Sequence, residues 1–85
     1  MNTARTITDW RAAYLKLTGL LVRRREAQRI SQQDLADRLG IGRRTLQRWE
    51  HGDAEPPAMR LFQWGALLGV SIAPDVAQVN EEVEA

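Results

Sequence analysis

Between positions 43 and 48 the chain carries Arg43, Arg44, Gln47 and Arg48, with Thr45 among them. Wound at 3.6 residues per turn, the guanidinium groups and the carboxamide fall on one side of a helix. A guanidinium is a planar fork of N–H donors, so this face suits charge-assisted, bidentate bonding to phosphate or to paired acceptors on a flat ring. Covalent chemistry has no comparable set of residues. The chain has no cysteine, its one histidine is His51 at a helix end, and no carboxylate pair has a setting that would separate an acid from a base. No enzyme, metal site or cofactor is expected, and His51 reads as a polar residue near a helix dipole.

A face that projects outward needs an opposite face that anchors it. Leu46 and Trp49 supply one within a helix from Arg43 to about His51, which Gly52 ends. The preceding helix starts at Ser31, whose hydroxyl can accept a backbone N–H one turn on, with Asp34 at the capping-box position. Ile30 and Leu35 have the spacing of a hydrophobic staple, Leu35, Ala36 and Leu39 make an apolar stripe, and Gly40 terminates it. Only Leu39-Gly40-Ile41-Gly42 separates the helices, which predicts a steep crossing with Ile41 plugging the corner.

The run SQQDLADRLGIGRRTLQRWEHG from Ser31 to Gly52, with Arg25 before it and Pro56-Pro57 after it, resembles the helix-turn-helix domain of the Xre/Cro family, which includes the lambda-type phage repressors. The likeness extends from about Leu17 to Ile72. It implies an all-α fold, a compact four- to five-helix lambda-repressor-like domain, here with an extended first helix. It also implies sequence-specific binding of double-stranded DNA, with helix 43–51 in the major groove, where each base pair shows a distinct donor and acceptor pattern. Arg43, Arg44 and Arg48 would be the main readers, Gln47 would pair with adenine or reach phosphate, and Thr45 shares their helix. Gln32, at the start of the preceding helix, would be a phosphate or bridging contact. In such domains an Arg at position 25 bonds the Glu at position 50, which predicts a partly buried, structural Arg25–Glu50 pair. Gly42 departs from the family's usual Ser or Thr cap, and the loop from Asp53 to Pro57 is slightly longer than in the compact phage repressors.

The remaining features bound this reading. At 85 residues, 44% of them hydrophobic and three of them Trp, the chain has material for one domain with one small core. Absence of cysteine fits a reducing cytoplasm, and no apolar run reaches membrane-spanning length. Net charge is only +1 but is polarised. Arginine dominates from Arg23 to Arg48, whereas from Asp75 onward there are four acids and no base.

Residues 1–7 read as a loose arm, 8–74 as the helix-turn-helix domain, and 75–85 as an acidic tail or short helix. Thr8 or Asp9 can cap a first helix running to about Gln28, with Trp10, Tyr14, Leu17, Leu21 and Arg25 on one face. Trp10 and Tyr14 are expected to cover the edge of their own core, with a second subunit as the other option. Arg23, Arg24 and Arg29 read as a solvated basic face. Pro57 fits the first position of a fourth helix in which Leu61, Trp64 and Leu68 face inward and Gly65 permits close approach. Met59, Phe62 and Ala66 form a second patch, which together with Val76 and Val79 is a candidate dimer contact; packing beneath the C-terminal segment is the alternative.

The function these readings predict is a transcriptional regulator, foremost a repressor, bound as a homodimer to a pseudo-palindromic operator. No small-molecule effector is evident from sequence. The rival is an interaction module or antitoxin that uses the same fold with DNA binding secondary or absent.

Overall fold

The computed structural model describes residues 9–72, which form helices α1 (Trp10–Ala27), α2 (Gln32–Leu39), α3 (Arg43–His51) and α4 (Ala58–Leu67). No strand is present among the described residues. The arm 1–7, Val76, Val79 and the predicted final helix lie outside the described residues.

All four helices end by the same device. An N–H two or three places past each helix end reaches back five residues to a carbonyl: Ile30 to Arg25, Ile41 to Ala36, Asp53 to Arg48 and Val70 to Gly65, at 2.8 to 3.1 Å. The residue before each of these donors must turn left-handed. Gly40, Gly52 and Gly69 do so at φ 73°, 80° and 78°, where the absent Cβ removes the clash. Arg29 does so at φ 58°, the one non-glycine residue at positive φ among the described residues. That conformation costs a residue with a Cβ about 1 to 2 kcal/mol.

Starts are less uniform. Ser31 caps α2 through its hydroxyl, which accepts the Asp34 N–H at 3.0 Å. Gly42 stands at the cap of α3 with no side-chain bond, as its lack of a hydroxyl requires. Pro57 is one place earlier than the sequence pattern predicts. Its carbonyl accepts the Leu61 N–H at 3.0 Å, so it is the cap of α4, and its fixed φ suits the extended entry.

Leu21, Leu35, Ala36, Leu39, Leu46, Trp49, Trp64 and Leu68 are buried together. Leu17, Ile30, Ile41 and Leu61 pack against this cluster from its edge. Trp49 and Trp64 tilt against each other with ring centroids 6.0 Å apart, locking α3 to α4. Burying one such side chain contributes about 1.5 to 3 kcal/mol, so packing is a large part of what anchors this side of α3. Gly65 permits a close approach, but to the chain that follows α4: a Cβ there would lie 2.6 Å from Ile72 Cδ1 and 2.9 Å from the Val70 carbonyl.

Two expectations fail on α1. Trp10 does not cover the core; it is 65% exposed, because the core begins at Leu17 and Thr18 and the first two turns project past it. Arg24 is not simply a solvated cation. Its Nη2 donates to the Leu68 carbonyl at 3.0 Å, beside Gln28 Nε2 at 2.9 Å, so α1 holds the C-terminal end of α4. Arg60 makes a comparable tie, donating from α4 to the Leu39 carbonyl at the end of α2 and to Gln63 Oε1.

Candidate nucleic-acid interface

Leu46 and Trp49 fix one side of α3 at 0% and 5% exposure, which leaves Arg43, Arg44, Thr45 and Arg48 exposed on the other. Among the described residues the one ion pair is Arg25–Glu50, so no carboxylate neutralises the three outward guanidinium groups. Their charge and donors remain available. Arg48 and His51 also lie in the last turn of α3, where positive charge suits the helix dipole.

Behind this face runs a polar chain that couples three helices. Arg25, buried on α1, donates from Nε to Glu50 Oε2 at 2.7 Å and from Nη2 to Oε1 at 3.0 Å. Its Nη1 also donates to the Ile30 carbonyl at 2.9 Å, so one guanidinium closes the α1–α2 turn and clamps the end of α3. The pair is nearly dry, with side-chain exposures of 11% and 4%. Such a pair is held by geometry, and an unpartnered survivor would be far worse than no pair at all.

Gln32 extends the chain towards the exposed face. Its Nε2 donates to Glu50 Oε1 at 2.9 Å, and its Oε1 accepts from Gln47 Nε2 at 3.1 Å. Gln47 is thereby held from behind while one N–H and a carbonyl lone pair stay free. A carboxamide presenting one donor and one acceptor is the complement of an adenine edge. The sequence identified both glutamines but not the bond between them, because a contact between positions 32 and 47 follows no helical period.

Arg43, Arg44 and Arg48 therefore share one exposed face with the half-buried Gln47 among them, Thr45 is exposed at its margin, and Gln32 bonds Gln47. Met59, Phe62 and Ala66 are elsewhere: they line an open, mainly apolar groove of about 600 Å³ with Val70 and Ile72. Met59 is 74% and Phe62 46% exposed. No described helix is long and apolar enough to cross a membrane.

Two short helices joined by a glycine turn, with a basic outer face on the second, define a helix-turn-helix domain. The helix-turn-helix family model matches residues 21–74, well over half of the chain. The chain belongs to the Xre/lambda-repressor type of this family, a family of DNA-binding, non-enzymatic domains, and is a DNA-binding regulator of that type. Neither the curated proteins nor the solved structures compared with it include a match.

Proposed function

We propose that the chain is a repressor that binds a pseudo-palindromic operator as a homodimer in the cytoplasm, laying α3 in the major groove. The single observation behind this reading is the division of α3 into a packed side and a side of uncompensated arginines. Arg43, Arg44 and Arg48 divide guanine edges and phosphates between them, Thr45 contributes at the same face, and Gln47 meets an adenine edge with Gln32 behind it. Each bidentate base pairing is worth about 1 to 3 kcal/mol of discrimination.

A single domain of this size offers too few base contacts for useful specificity, and a two-fold dimer doubles them. The groove at Met59, Phe62 and Ala66 is the natural contact because it leaves large apolar side chains uncovered. Val76 and Val79 follow Ile72 closely enough in sequence to join it. Selection of bound duplexes from a random pool, followed by equilibrium sedimentation with the selected duplex, tests both halves. The expected outcome is a two-fold sequence bound by two chains; an asymmetric site bound by a monomer would refute the dimer.

A further inference from the structure

The first turns of α1 lie ahead of the segment that matches the family, which begins at residue 21. They form one side of a pocket of about 190 Å³, lined by Trp10, Arg11, Tyr14 and Leu15 of α1 and by Gly52 and Glu55 from the far end of α3 and its loop. The Tyr14 hydroxyl is buried with no hydrogen-bond partner among the described residues. A donor buried in that state has given up its bonds to water with nothing in return.

The charges at this pocket come in both signs. Arg11 stacks its guanidinium over the Trp10 ring at 5.0 Å, which holds it near the mouth. Glu55 stands across from it, and the two make no ion pair with each other. Burial first, and the Glu55 charge second, push the Tyr14 hydroxyl above its ordinary value of 10.0, so it is a neutral donor at neutral pH. A purely cationic ligand would meet Arg11 and a purely anionic one would meet Glu55. A small molecule carrying both charges meets each with its opposite, while Trp10 and Leu15 offer apolar walls.

We propose that this pocket binds a small zwitterion, an α-amino acid with an apolar side chain. The ammonium group faces Glu55, the carboxylate faces Arg11, and the side chain lies against Trp10 and Leu15. Because Gly52 closes both the pocket and α3, occupancy is felt at the end of the DNA-facing helix. That last step rests on the proposed operator binding; the binding site itself does not.

The test uses the full chain without DNA. Trp10 is the exposed tryptophan that lines the pocket, whereas Trp49 and Trp64 are buried at 5% and 0% exposure, so a ligand-dependent change in tryptophan emission is assigned to Trp10 by its loss on substitution. Titration with L-valine, L-leucine, L-methionine and L-phenylalanine should give a saturable change with at least one of them, lost in Trp10→Phe. For that amino acid, removing either the carboxylate, as in isoamylamine for leucine, or the amine, as in 4-methylpentanoate, should weaken binding at least tenfold. Arg11→Gln and Glu55→Gln should each do the same. No saturable change with any of the four, or equal binding of the singly charged analogues, overturns the proposal. With DNA added, an amino acid that binds but leaves operator affinity unchanged retains the site and removes only its link to α3.

Discussion

Arg25 and Tyr14 lie on the same face of α1, about three turns apart, and the fold treats them oppositely. Around Arg25 the turn to α2 and the end of α3 converge, and its guanidinium donates three bonds to Glu50 and Ile30. The Tyr14 hydroxyl, by contrast, is buried with no hydrogen-bond partner among the described residues. A buried polar group with its partners supplied fixes the geometry of its neighbours. One without them fixes nothing and leaves its own desolvation uncompensated.

The largest effect should come from breaking the partnered end. Arg25→Ala leaves Glu50 buried without its cation and is expected to destabilise by about 3 to 5 kcal/mol in urea unfolding. Arg25→Met combined with Glu50→Leu should recover most of that loss, since an apolar pair needs no compensation. If the double variant is as unstable as the single one, packing rather than charge holds this corner.

Gln32→Ala is the next step outward along the same chain. It removes one bond from Glu50 and one from Gln47, for a loss of about 1 kcal/mol of stability. More telling is duplex discrimination, which should relax at the base pair that Gln47 meets and hold elsewhere. Uniform weakening across sequences would mark Gln32 as a phosphate contact instead.

Arg29 offers a gain of similar size. Arg29→Gly relieves the one left-handed residue with a Cβ and should stabilise by about 0.5 to 1 kcal/mol, after allowing for the freer unfolded chain. Thermal unfolding of the variant checks this; a destabilised variant would mean that the Arg29 side chain makes up for its backbone.

Tyr14 should give the smallest effects. Tyr14→Phe removes an unpaired hydroxyl and is expected to be neutral or slightly stabilising. Its raised pKa also sets a sign. The unfolded chain loses this proton near 10.0 and the folded chain only at higher pH, so the stability tied to the neutral phenol is intact below 10.0 and is lost as pH rises through the folded value. As the only tyrosine in the chain, it can be followed by ultraviolet absorbance. Glu55→Gln should lower the midpoint only part of the way, because burial is the larger cause.

What could be read from sequence was what rests on local periodicity or on a motif. The Ser31 cap, the Gly40 and Gly52 ends, the inward Leu46 and Trp49 and the Arg25–Glu50 pair all follow from spacing or from the family pattern. Contacts that end on a backbone carbonyl were not legible: Arg24 and Gln28 at Leu68, and Arg60 at Leu39, since every residue has a carbonyl and no spacing marks which one is used. Trp10 was misplaced because periodicity reveals that a helix has an apolar face, not where along its length the core stops. The pocket joining Tyr14 to Glu55 was missed for a related reason, as its two sides come from distant parts of the chain.

The most direct measurement is the affinity of Arg44→Ala and Arg48→Ala for the selected duplex and for a scrambled one across a range of salt. At least one variant should lose about 1 to 3 kcal/mol for the selected sequence while binding the scrambled one nearly as before. A variant that acts only through phosphate should instead weaken both and flatten the salt dependence by about one unit. If both variants, still folded, bind both duplexes as the parent does at every salt concentration, the exposed side of α3 does not read DNA.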